Sequence, residues 1–199
     1  MPCSYAGTLI SNNEATHHLF YWFYPTEDDS APVTIWLNGG PGASSTFANF
    51  LLNGPLEITH NSPDPSDYDV HLKAAGSWAD ISNMVFVDQP VGTGFSWGEP
   101  LLTDEVESSQ EFIYFMDLLF KKYPQFEGKD LYMTGESYGG KYIPRYSYEL
   151  LMENQKQQNT RFNLKASLVG DPYTAPLTQR THMHLVPEQL NVIDDSNMA

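Results

Sequence analysis

The segment Gly135-Glu136-Ser137-Tyr138-Gly139 constrains this chain more than any other stretch of its sequence. Glycines two positions either side of a serine suit a sharp turn that lifts the hydroxyl clear of the backbone, and such a turn joins a strand to a helix. Asp130 to Thr134 reads as a short strand ahead of it, and Tyr146 to Gln155 reads as helical beyond it. Ser137 is therefore expected to be a nucleophile, although five residues alone would also fit a glycine-rich turn around an ordinary serine.

The same alternation of elements runs through the rest of the chain. Leu19 to Tyr24, Val33 to Leu37 and Met84 to Asp88 are rich in β-branched and aromatic residues and each stops at turn residues, which predicts strands. Between Asp104 and Tyr123, the apolar residues Phe112, Phe115, Met116, Leu119 and Tyr123 recur at spacings of three and four. This predicts an amphipathic helix with Asp104 and Glu107 at its N-terminal cap. Phe162, Leu164, Ala166 and Leu168 alternate up to Gly170-Asp171-Pro172 and predict a further strand over Phe162 to Val169. Strands interleaved with helices point to an α/β fold, a mostly parallel sheet with helices on both faces. Asn61 to Asp69, with two prolines and three aspartates, reads as a surface loop, and Asn154 to Thr160 as a polar connection. With neither repeat nor linker in view, residues 1–199 read as part of a single domain.

Two more glycine-rich loops follow strand ends. Asn38-Gly39-Gly40-Pro41-Gly42 comes directly after Val33 to Leu37, where an oxyanion hole is expected: one N–H from this loop, at Gly40, and one from the residue after the serine, Tyr138. The same glycines also suit a tight turn before a helix starting near Ala43. Asp88-Gln89-Pro90-Val91-Gly92-Thr93-Gly94-Phe95-Ser96 lacks the lysine and hydroxyl residue of a phosphate-binding loop and the full dinucleotide fingerprint, so a nucleotide site is excluded and no cofactor is expected.

Composition narrows the partners. A formal charge of −15, from 25 acidic against 10 basic residues, opposes a nucleic-acid or anionic-membrane partner. No apolar run approaches the roughly 20 residues needed to span a bilayer, so no membrane span is expected. The opening residues show no export signal, Cys3 is the one cysteine, and no Asn-x-Ser/Thr acceptor occurs, so nothing in the sequence marks a secretory route.

Taken together, Trp36 to Ser45 (WLNGGPGASS), Val87 to Ser96 (VDQPVGTGFS) and Gly135 to Pro144 (GESYGGKYIP) resemble three signature blocks of the serine carboxypeptidase family, in the family's order and spacing. His18 to Tyr24, Phe162 to Asp171 and Pro176 to Gln179 also look like family segments, so the resemblance covers nearly the whole chain. It implies an α/β-hydrolase fold incomplete at its C-terminus, with a peptide C-terminus as substrate and Ser137 as nucleophile. The free carboxylate of the substrate would be held by Asn38, the backbone of Gly39, and Glu136, with Trp36 as the neighbouring wall. The family's compartments imply a vacuole, a lysosome or secretion.

Two departures from the family's pattern stand out. Ala43 occupies a position where the family usually carries a disulfide-forming cysteine, and Leu52 precedes Asn53-Gly54-Pro55 where the family tends to place a glutamate that supports the one beside the serine. The aspartate and histidine that complete the family's triad lie farther along than this chain reaches. His182 and His184 read as surface or packing residues, as do His17, His18, His60 and His71, and Asp171 and Asp194 as solvated carboxylates. A second chain or a larger assembly is expected to cover the sheet edge left open. The sequence is compatible with a carboxypeptidase, with an acyltransferase that uses an alcohol in place of water, and with a truncated hydrolase kept as a structural or interaction subunit.

Overall fold

The computed structural model describes residues 3–64, 66–190 and 192, so Asp194 lies outside the described residues. In chain order the strands are Tyr5–Ile10 (β1), His17–Tyr24 (β2), Val33–Leu37 (β3), Leu56–His60 (β4), Tyr68–Leu72 (β5), Asn83–Asp88 (β6), Trp97–Gly98 (β7), Leu131–Glu136 (β8) and Leu164–Gly170 (β9). The helices are Thr46–Leu51 (α1), Glu105–Lys122 (α2), Gly139–Gln157 (α3), Pro176–Thr181 (α4) and Leu185–Gln189 (α5).

The main sheet runs β1-β2-β6-β3-β8-β9, with β7 attached to β2. β6, β3, β8 and β9 are mutually parallel, while β1 and β2 add an antiparallel margin. Mostly parallel pairing requires cover on both faces. On one face α2 and α3 pack over Leu19, Tyr21, Phe23, Val33, Ile35, Leu37, Val85 and Val87, the major core. On the other, alternate residues of the same strands, Tyr24, Trp36, Met84 and Phe86, bury against Ala48 of the short α1.

The predicted helix from Asp104 forms as α2, and its cap behaves as expected. The Asp104 carboxylate accepts from the backbone N–H of Val106 at 2.8 Å and of Glu107 at 2.9 Å, taking up two donors that the first helical turn leaves unpaired. Phe112, Phe115, Met116 and Leu119 are buried along one stripe, each contributing roughly 2 kcal/mol through removal of apolar surface from water.

Four local expectations differ from the structure. The helix after the first glycine loop begins at Thr46 rather than near Ala43, because Ala43 closes a turn by donating its N–H to the Gly39 carbonyl at 3.1 Å. The helix after Ser137 begins at Gly139, well ahead of Tyr146, and runs through most of the expected polar connection. The expected loop from Asn61 to Asp69 is shortened by an antiparallel hairpin, because Tyr68 and Asp69 belong to its second arm, β5, and pair with His60 and Thr59 of β4. The fourth concerns β9. Its pairing with β8 skips Lys165, since Leu131 faces Leu164 while Tyr132 faces Ala166. A bulge of one residue exchanges the two faces of a strand. Beyond it Ser167 and Val169 turn toward α3, and Leu168, expected inside, is half exposed.

Candidate active site

Parallel strands end together, so the loops after β3, β6 and β8 meet at one end of the sheet. At the end of β8 the backbone of Ser137 adopts the left-handed conformation, with φ at +56°. A residue with a Cβ adopts it at a cost of about 1–2 kcal/mol, and such strain is characteristic of functional turns. The turn is held from the next segment: Ser137 N–H donates to the Gly170 carbonyl at 3.0 Å, and Tyr173 N–H donates to the Ser137 carbonyl at 2.8 Å. Gly140 is required here, because a Cβ on it would fall 2.8 Å from Tyr173 N.

The loop after β3 is pressed directly onto this turn. A Cβ on Gly39 would lie 2.3 Å from Tyr138 N and 3.0 Å from Ser137 Cβ, so only glycine permits the approach. The loop therefore brings Gly40 and Tyr138, the two expected oxyanion donors, to the same place as Ser137. Their backbone N–H groups take no acceptor among the described residues, whereas the neighbouring Ser137 and Gly140 N–H groups do.

The residues expected to hold a carboxylate are also brought together. Trp36 Nε1 donates to Asn38 Oδ1 at 2.6 Å, which fixes the amide so that Asn38 Nδ2 reaches Glu136 Oε1 at 3.2 Å. Asn38 is buried and anchored through its own N–H to Ser45 Oγ at 3.0 Å, and that hydroxyl donates in turn to the Val87 carbonyl at 2.6 Å. Burial pushes the Glu136 carboxyl above its ordinary range, and the negative charge of Asp171 pushes it further in the same direction. Leu52, half exposed, offers no carboxylate to this group.

Sequence reasoning passed over the group that ties the second loop to the first. The buried Asp88 carboxylate accepts from Ser44 Oγ at 2.7 Å, Thr46 N–H at 3.3 Å and Phe95 N–H at 3.0 Å. The signal was present, an aspartate closing an apolar strand directly before a glycine-rich loop. Gly94 makes room for it, since a Cβ there would fall 2.1 Å from Asp88 Oδ2. Tyr138 carries a second unforeseen contact, its hydroxyl donating to Glu105 Oε1 at 2.6 Å, and that bond is the leading cause of its phenol rising to about 12.

The histidines do not join the site. His182 and His184 are exposed, and His182 Nδ1 bonds the Thr178 carbonyl at 2.6 Å within its own turn. His17 is buried against Glu111, at 2.5 Å, between β2 and α2. Among the described residues, Ser137 Oγ has no hydrogen-bonded histidine.

A strand, a strained serine turn and a helix beneath a glycine loop define an α/β-hydrolase, and likeness to solved structures agrees. A proline iminopeptidase-related protein of Thermus thermophilus matches in fold at a TM-score of 0.52 and 13% identity, covering 85% of this chain and 45% of that one. The chain belongs to the serine carboxypeptidase family, whose model matches residues 3–199. It is 39% identical over 183 residues to a carboxypeptidase Y homolog A of Arthroderma gypseum, covering 89% of this chain and 31% of that protein. It is 36% identical over 187 residues to the carboxypeptidase Y of Schizosaccharomyces pombe, covering 88% of this chain and 18% of that one. A prohormone-processing carboxypeptidase of Saccharomyces cerevisiae superposes with a TM-score of 0.88 at 28% identity, over 100% of this chain and 44% of that one. The chain thus spans less than a third of the curated relatives' length. No helix among the described residues is long and apolar enough to cross a membrane.

Proposed function

We propose that this chain carries the nucleophile, oxyanion hole and carboxylate pocket of a serine-type carboxypeptidase. The observation that carries the reading is the strained Ser137 turn wedged against Gly39, with Asn38 and Glu136 beside it. Ser137 Oγ attacks the carbonyl of the last peptide bond while a base takes its proton. The N–H groups of Gly40 and Tyr138 stabilise the oxyanion, the terminal amino acid leaves with a proton, and water hydrolyses the resulting ester. The base and its carboxylate partner come from a C-terminal half or a second chain, because a serine without a base is a poor nucleophile.

Glu136 makes the reaction specific for chain ends. Protonated, it donates to the terminal carboxylate of the substrate; ionised, it repels it. Its raised carboxyl extends the protonated range upward from acid pH, so substrate binding weakens as pH climbs through that raised value. KM is expected to rise from acid to mildly alkaline pH, and a flat profile would count against the assignment.

A second reading, a non-catalytic subunit, is favoured by the exposed positions of His182 and His184. Fluorophosphonate labelling separates the two. Labelling of Ser137 that is lost in Ser137→Ala, in the chain alone or on addition of a C-terminal half, supports the enzyme; absence of labelling in both settings supports the subunit. The open edge at β9 and the exposed Leu177, Met183, Val186 and Leu190 of the following segment support a covering chain.

A further inference from the structure

The backbone N–H groups of Gly39, Gly40 and Tyr138 each form one end of a planar trans peptide, so whatever holds the carbonyl at the other end aims the N–H. Two of the three are aimed by backbone. The Ser137 carbonyl, behind the Tyr138 N–H, accepts from Tyr173 N–H at 2.8 Å and from Gly140 N–H at 2.9 Å. The Gly39 carbonyl, behind the Gly40 N–H, accepts from Ala43 N–H at 3.1 Å. The third is held differently. The Asn38 carbonyl, behind the Gly39 N–H, accepts from a side chain, Gln89 Nε2, at 3.4 Å. Gly39 is buried and its N–H takes no acceptor among the described residues, which leaves a donor free for a ligand.

Gln89 ends a buried polar chain that starts on the helices. The Tyr146 hydroxyl, on α3, donates to Gln89 Oε1 at 2.7 Å. With its proton committed there, it accepts from Ser108 Oγ on α2. All three side chains are buried. The Tyr146 ring stacks on Phe112 of α2, centroids 4.6 Å apart, which fixes where its hydroxyl sits. The chain also settles which way the Gln89 amide faces, because turned over it would set its oxygen against the Asn38 carbonyl oxygen. Glutamine suits the place by offering a donor at one end and an acceptor at the other, whereas a carboxylate would oppose oxygen to oxygen.

We infer that Gln89 is a positioning residue for the carboxylate pocket, holding the Asn38–Gly39 peptide so that the Gly39 N–H stays turned toward the terminal carboxylate of the substrate. The purpose rests on the carboxypeptidase reading, whereas the hold on the peptide does not. At 3.4 Å the bond is long for an N–H donor, so this peptide turns more readily than the two held by backbone. Loss of Gln89 should therefore fall on recognition of the carboxylate and spare Gly40 and Tyr138, whose carbonyls are held independently.

The test titrates the intact, nitrogen-15-labelled chain with N-acetylphenylalanine and with its amide. The wild-type chain is expected to prefer the free acid, with the Gly39 amide proton moving downfield as it binds. Gln89→Met keeps the length of the side chain and removes its hydrogen bonds. Its preference for acid over amide should fall about tenfold, the effect of losing one hydrogen bond to a charged group. An undiminished preference in a folded variant overturns the inference. Should that variant not fold, Tyr146→Phe takes its place, since it keeps the ring and frees Gln89 Oε1, and an undiminished preference there overturns the inference equally. Without ligand, the Gly39 amide nitrogen resonance should move in the variant while that of Gly40 stays. Both moving together would mean a general loosening of the loop and would count against a specific hold. Equal binding of acid and amide by the wild-type chain removes the carboxypeptidase reading. The Gly39 resonance then decides the rest: a selective shift leaves the hold by Gln89 standing, and its absence overturns that as well.

Discussion

β3 and β9 both lie parallel against β8, yet they are different kinds of strand. Every residue of β3 is buried, whereas β9 has none that is fully buried and its Leu168 is 50% exposed. The contrast continues into the loops at their ends. Gly39, after β3, sits where a Cβ would strike the backbone of Tyr138 and Glu136 on either side of Ser137, whereas Gly170, ending β9, has nothing within 4 Å of its Cβ position. The half of the sheet around β3 is thus complete in this chain, and the half beyond β8 presents a surface suited to further cover.

The sharpest way to break this comparison is to add one methyl group on each side. Gly39→Ala is expected to destabilise the chain by roughly 3 kcal/mol and to abolish labelling of Ser137, since the loop must retreat from Tyr138 N. Gly170→Ala should stay within about 0.5 kcal/mol of wild type. Urea unfolding followed by fluorescence measures both, and equal costs would mean that the two ends are equally constrained.

Asp88→Ala comes next. It leaves the Ser44 hydroxyl and the Thr46 and Phe95 N–H groups without their acceptor in a buried place, at a cost of about 2–3 kcal/mol. The same unfolding experiment reads it, and an effect below 1 kcal/mol would mean that water replaces the carboxylate and that the β6 loop is not locked to α1.

How much of this could be read beforehand depended on the kind of signal. Ser137 and its turn were legible because glycine spacing, strand and helix all lie within a short local stretch. Asn38, Gly39 and Glu136 could be associated only through the family resemblance, since nothing local says that residue 38 meets residue 136; parallel pairing of β3 with β8 does that. Strand β1 went unforeseen because this edge strand has no buried residue to give an alternating pattern, and Gly7 and Thr8 carry little strand signal. The faces of β9 were misread for another reason. Alternation was genuine, but one bulge at Lys165 reversed it, and no feature of Leu164-Lys165-Ala166 announces a bulge.

Backbone strain gives a smaller and opposite effect. Ser137→Gly should raise stability by about 1 kcal/mol, because glycine adopts a φ of +56° without steric cost, while removing all labelling. Stability and reactivity moving in opposite directions would show strain held in place for chemistry. If Ser137→Gly is instead less stable than wild type, the added entropy of the unfolded chain outweighs the strain relieved, and the turn holds little.

The smallest effect falls on the exposed side of β9 and bears on whether another segment or chain packs there. Leu168 points away from α3, so Leu168→Ser should change the stability of the isolated chain by no more than about 0.5 kcal/mol. If a C-terminal half or second chain packs on that face, the same substitution should cost about 2 kcal/mol or more once the complement is bound, because a large apolar side chain is then removed from a buried contact. Titration of the complement onto wild-type and Leu168→Ser chains by calorimetry measures the difference directly. A residue that is silent alone and costly in the complex would mark β9 as an internal strand of a larger sheet; a residue silent in both settings would leave β9 as a true edge.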